Sequence, residues 1–222
     1  VAITEFVYTF ILASLLFVFA YFKANNSKVA TLPLISVTTL IYILPIIQVY
    51  IRGNGLSEDL KKKFPFEEEG QQLQQPYSLL KMFSGIIDKK ITPQIFAYKK
   101  LPERDLNIDL YPSQTNSISP CIIVIHGGSW AEGDSKQLPD LNSYLANKGY
   151  HVAAINYRLA PKYKSPAPVE DVADVIKYLT DNSEKLKIDT SNFILLGRSA
   201  GVQIALCAAY TFNHPKIEGV VS

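Results

Sequence analysis

The apolar run Phe193-Ile194-Leu195-Leu196 leads without a spacer into Gly197-Arg198-Ser199-Ala200-Gly201, and then into an apolar stretch ending at Phe212. Strand, tight turn and helix in immediate succession send the helix back across the sheet, and the strand that follows then runs parallel to the first. Residues 217–222 (IEGVVS) read as the start of that strand. Upstream, Cys121–Ile125 (CIIVI) is a continuous apolar run, the composition of a strand covered on both faces. Lys136–Asn147 reads as a helix, Val152–Asn156 as a strand, and Pro168–Thr180 as a helix with Val169, Val172, Val175, Ile176 and Leu179 on one stripe. Ile95–Lys99 and Leu106–Tyr111 alternate like an antiparallel hairpin at a sheet edge. From residue 93 the pattern is α/β, a mostly parallel sheet flanked by helices.

Charge divides the chain. Residues 1–51 carry only Glu5, Lys23 and Lys28, whereas the rest has an ordinary charge density. Two uncharged runs, 6–22 and 29–51, are separated by the polar turn Lys23–Lys28 and read as a transmembrane hairpin. Arg52 and Lys61–Lys63 follow the second run, which by the positive-inside tendency puts the remainder on the cytoplasmic side of a membrane. Residues 52–92 read as a polar connector, with a short amphipathic helix expected over Tyr77–Ile87. A net charge of +2 from 22 basic and 20 acidic residues gives no footprint for nucleic acid. The two cysteines, Cys121 and Cys207, are too few for a disulfide framework, and no metal site is expected from their spacing.

The chemistry concentrates in two places. Gly197–Gly201 has the G-x-S-x-G form between a strand and a helix, the setting that exposes a serine hydroxyl at a sharp turn. Ser199 is then the candidate nucleophile, with Gly197 and Gly201 relieving close approaches of the backbone. His126-Gly127-Gly128-Ser129-Trp130 ends the strand Cys121–Ile125, and its glycines can turn backbone amides towards a ligand. Amides of Gly127 or Gly128 together with that of Ala200 form a candidate oxyanion hole.

These motifs carry a resemblance. From about residue 93 onward the chain resembles the α/β-hydrolase superfamily, in its hormone-sensitive-lipase-like and acetyl-esterase branch. His126-Gly127-Gly128 resembles the branch's oxyanion motif, and Gly197–Gly201 its GxSAG elbow. Tyr157-Arg158-Leu159-Ala160-Pro161, with Pro166-Ala167 and Glu170-Asp171, resembles its YRLAP…PA…ED stretch. The resemblance implies Ser199 as nucleophile, Gly127, Gly128 and Ala200 as oxyanion donors, His126 as a loop-fixing residue, and no metal or organic cofactor. Ser129 stands where the branch often has a third glycine, and Arg198 where it often has an acid or histidine.

In the superfamily the acid and histidine follow the serine in chain order. After Ser199 the sequence offers only Glu218 and His214. His214 lies beyond the helix that Ser199 begins, about 20 Å away at 1.5 Å per residue. His151 precedes the elbow and reads as structural, and Asp171 and Asp174 read as helix-surface or capping groups. The triad acid and histidine are therefore expected outside this sequence, and the chain reads as a hydrolase domain truncated at its C-terminus, inactive as an isolated fragment. The leading expectation is a membrane-anchored serine esterase acting on small-molecule or lipid esters. Alternatives are an amidase-, formamidase- or prenylcysteine-methylesterase-like hydrolase, and a catalytically dead hydrolase fold acting as a binding module.

Overall fold

The computed structural model describes residues 89–212 and 217–221, together with residues 14–16, 18, 19, 23, 36, 37, 40, 43, 44, 47, 48, 50–53, 59, 62 and 63. The chain separates into two units, residues 1–85 and 86–222. In the first, every described residue is helical. The spans expected over 6–22 and 29–51 lie largely outside the described residues, and among the described residues no helix is long and apolar enough to cross a membrane. The helix expected over Tyr77–Ile87 also lies outside them.

The second unit is built on a six-stranded sheet. Its elements are β1 (Gln94–Lys100), β2 (Asp105–Tyr111), β3 (Ser119–Ile125), α1 (Pro139–Asn147), β4 (His151–Ile155), α2 (Ala167–Asp181), α3 (Ser183–Leu186), β5 (Ile188–Gly197), α4 (Ala200–Phe212) and β6 (Ile217–Val221). The strand order is β1-β2-β4-β3-β5-β6. The expected hairpin forms the edge, β1 pairing antiparallel with β2 and β2 with β4. The four strands β4, β3, β5 and β6 are mutually parallel. Ile125 stands level with Ile155 on one side and Gly197 on the other. The segments leaving β3, β4 and β5 therefore emerge beside one another at the carboxyl edge of the sheet.

The pleat divides the central run between two cores. Cys121, Ile123 and Ile125 join Phe193, Leu195 and the α2 stripe Val169, Val172, Val175, Ile176 and Leu179 on one face, with Ile204, Ala205 and Ala208 of α4. Ile122 and Val124 point the other way, against Val152, Ala154 and Ala146 of α1. Each such fully buried aliphatic side chain contributes about 1.5–3 kcal/mol to burial, which is why the apolar runs settle as central strands.

Several boundaries differ from expectation. The helix expected from Lys136 begins at Pro139, because a residue before proline is kept out of the right-handed helical region; Leu138 takes φ 55° instead. β5 starts at Ile188, five residues before its apolar run, since Ile188 and Asp189 pair with Ser119 and Pro120. Asp171 is not a surface group. It is fully buried, accepting from the Arg158 N–H at 2.8 Å, Arg158 Nε at 2.9 Å and Lys99 Nζ at 2.8 Å, and so ties α2 to β1 and to the segment after β4.

Candidate active site

The turn after β5 is pinned at both ends. The Arg198 N–H donates to the Ile125 carbonyl at 3.1 Å, holding the turn level with the end of β3. Gly201 and Val202 N–H groups then close onto the Arg198 and Ser199 carbonyls at 2.8 and 2.9 Å, starting α4. Between them Ser199 takes φ 51°, the left-handed region that costs a side-chain-bearing residue about 1–3 kcal/mol. The glycines that flank it have no room for a methyl group. One at Gly197 would stand 2.5 Å from the Gly201 carbonyl oxygen, and one at Gly201 would strike the Ile125 carbonyl and lie 2.7 Å from that of His126. Strand end, turn and helix are thus packed backbone to backbone.

The loop after β3 lies directly against this turn. A methyl group at Gly127 would be 2.9 Å from the Arg198 carbonyl oxygen and 3.2 Å from Ser199 Cβ. The chain then curls through Gly128 (φ 130°), Ser129 (φ 50°) and Trp130 (φ 63°), with the Ala131 and Glu132 N–H groups both donating to the Gly128 carbonyl at 3.0 Å. Trp130 is half-exposed, and its carbonyl accepts from the Ala160 N–H at 2.9 Å, joining this loop to the one after β4.

The Gly127 N–H donates to Gln137 Oε1 at 3.3 Å. Gly128 and Ser129 instead carry N–H groups with no hydrogen-bond partner among the described residues. Ala200 opens α4, where the first N–H groups of a helix have no partner within it, and the partial positive charge of the helix end faces the Ser199 turn. The Ser129 amide had no signal in the sequence, since a serine in place of a glycine says nothing about where its N–H points.

His126 is buried. Its Nδ1–H donates to the Gly127 carbonyl at 2.7 Å, its ring stacks on Tyr157 at 4.2 Å, and the Tyr157 hydroxyl donates to the His126 carbonyl at 3.1 Å. Burial pulls its pKa below the usual histidine value, which favours the neutral ring. His151 sits at the opposite edge of the sheet, where the strands begin; there Nδ1 accepts from the Ser113 N–H at 3.2 Å and Nε2 donates to the Lys187 carbonyl at 3.1 Å. A cavity lined by Ser113, Thr115, His151 and Lys187 opens at that same edge, away from Ser199. His214 lies outside the described residues, and Glu218 is exposed on β6. Among the described residues Ser199 Oγ has no histidine or carboxylate within hydrogen-bond reach, and no three His, Cys, Asp or Glu side chains come together as metal ligands. Arg198 is exposed, its Nη1 donating to Gln137 Oε1 at 3.4 Å.

The BD-FAE family model matches residues 106–222. An arylesterase of Saccharolobus solfataricus is 27% identical over 174 residues, 78% of this chain and 54% of that protein. The isoprenylcysteine alpha-carbonyl methylesterase of Arabidopsis thaliana is 29% identical over 113 residues, 50% of this chain and 26% of that protein. Among solved structures, a bacterial heroin esterase superposes with a TM-score of 0.51 at 26% identity, covering 59% of this chain and 43% of that one. The chain therefore spans about half the length of the first relative and about a quarter of the second.

Proposed function

The chain belongs to the BD-FAE family, among the α/β-hydrolases of carboxylesterase type, and from that membership we propose that the whole protein cleaves carboxylic esters through an acyl-enzyme on Ser199. The observation that carries this reading is the left-handed Ser199 at the carboxyl edge of the sheet, flush against the Gly127 loop. Ser199 Oγ attacks the ester carbonyl and gives its proton to a general base. The negative charge moves to the carbonyl oxygen, which in this reading accepts from the Gly128 and Ala200 amides. Collapse expels the alcohol, which takes the proton from the base. Water then repeats the sequence on the acyl-enzyme and releases the acid. The base is an acid-supported histidine, which the described residues do not provide within reach of Ser199. His126 holds the loop and takes no proton in this scheme.

In the full-length protein, Ser199→Ala should lower ester turnover by at least about a thousandfold while the fold survives. Undiminished turnover in that variant would overturn the reading.

Membrane attachment through residues 1–51 belongs to the same proposal. Its support is the near-absence of charge there and the exposed apolar side chains of helical residues such as Leu15, Leu16, Phe19, Leu40 and Ile51. Substrates are then esters presented at or near a lipid surface, and the methylesterase similarity adds lipid-modified methyl esters to those worth profiling. On fractionation the full-length protein should stay with membranes through alkaline carbonate and leave only in detergent. Release by carbonate alone would remove the anchor from the scheme. The hydrolase unit is read as cytoplasmic from Arg52 and Lys61–Lys63, and protease protection in sealed vesicles tests that side.

A further inference from the structure

Building on the reading of Ser199 as nucleophile, the geometry points to Gln137 as a positioning residue that sets the direction of the Gly128 amide. Its carboxamide grips Gly127 at both polar groups: Oε1 accepts from the Gly127 N–H at 3.3 Å, and Nε2 donates to the Gly127 carbonyl at 3.3 Å. A carboxamide presents donor and acceptor side by side, the pair needed to meet an N–H and a C=O of one residue at once. The Gly127 carbonyl and the Gly128 N–H belong to one planar trans peptide and point in opposite directions. Holding that carbonyl therefore aims that N–H. His126 Nδ1 holds the same oxygen at 2.7 Å, so the peptide is fixed by two donors.

Gln137 is itself anchored. Its N–H donates to the Asp134 carbonyl at 3.4 Å, and its carbonyl accepts from Nδ2 of the buried Asn142 on α1 at 3.4 Å. From the other side, Arg198 Nη1 reaches Oε1 at 3.4 Å. One side chain thus joins the loop after β3 to the turn that carries Ser199. An amide that must meet developing charge gains from such fixing, since donors already in place need no reorganisation during reaction.

The test uses the full-length protein with a soluble ester. Gln137→Met removes both polar groups at similar length. It should lower kcat about tenfold, part of the hundredfold or more that loss of a whole oxyanion donor costs, with KM changed less than about threefold. Gln137→Glu provides an independent readout. An ionised Glu opposes two acceptors, its own oxygen and the Gly127 carbonyl, whereas the protonated acid restores a donor and an acceptor. The charged or titratable groups around the position are Arg198 and His126 across from it, and Asp134 and Lys136 on its own turn. The kcat ratio of this variant to wild type should rise towards about one as pH falls through the carboxylate range, about pH 6 to 4. A residue that only stabilises the loop would leave that ratio flat. A Gln137→Met kcat within about twofold of wild type overturns the proposal. If that variant does not fold, a flat Gln137→Glu ratio does so. Ser199→Ala in the same assay separates the two readings. If it retains turnover, the nucleophile assignment falls and this proposal with it; if it is dead while the Gln137 variants are unimpaired, only this proposal falls.

Discussion

Asp171 offers the sharpest stability test of the fold. Its side chain is fully buried and receives the Arg158 N–H, Arg158 Nε and Lys99 Nζ, all within 2.9 Å. Asp171→Asn keeps the volume but removes the charge and turns an NH2 group towards at least one of these donors. Breaking a buried ion pair by removing one partner costs about 3–5 kcal/mol, because the remaining charge is left uncompensated. Here the loss is cushioned. Lys99 keeps Asp174 at 2.7 Å, and Arg158 keeps Glu170 and the Ala167 carbonyl, each at 2.9 Å. The low end of the range, about 3 kcal/mol, is therefore expected, and at about 3 °C per kcal/mol the melting temperature falls by about 10 °C. The control is Asp174→Asn, whose carboxylate is 46% exposed and whose loss should cost under about 1 kcal/mol. Thermal denaturation of wild type and both variants at neutral pH decides the matter. Equal losses for the two variants, or a change below about 2 °C for Asp171→Asn, would refute the claim that this carboxylate organises the α2–β1 contact.

Three further outcomes follow from the same structure. Gly201→Ala should destabilise the unit by about 2 kcal/mol or more despite alanine's better helix propensity, because its methyl meets the Ile125 and His126 carbonyls; denaturant melts check this. Burial lowers the pKa of both His126 and His151 from 6.5, so the unfolded chain takes up these protons more readily. Their contribution is complete above that value and is lost as pH falls through the folded pKa, and His151→Gln should flatten the drop in urea midpoint between about pH 7 and 5. An unchanged slope would remove His151 from that account. Finally, an aromatic disulfide reagent should titrate exposed Cys207 at once and Cys121 only in denaturant, since burial pushes the Cys121 thiol up to about 12; rapid reaction of both would contradict its burial.

How far the sequence led depended on what each residue's neighbours were. Cys121–Ile125 and Phe193–Leu196 were legible because burial on both faces leaves an unbroken apolar run. The polar half of β5, Asp189–Asn192, carries no such mark; Ile188 and Asp189 pair with Ser119 and Pro120, and the register then shifts so that Phe193 faces Cys121. The elbow was legible because G-x-S-x-G sat between a strand and a helix. The hydrogen bond from the Gly127 amide was not legible, since its partner Gln137 stands ten residues away in a loop without periodicity. Asp171 read as surface for the same reason: Lys99, which makes its burial tolerable, is 72 residues distant.

In the proposed mechanism Ser199 is the group that attacks. Treating the full-length protein with a fluorophosphonate probe and sequencing the labelled peptide by mass spectrometry tests it most directly. One adduct is expected, on Ser199, formed in step with loss of ester turnover. A probe that abolishes turnover while attached to another residue, or turnover that persists with Ser199 fully modified, would contradict it.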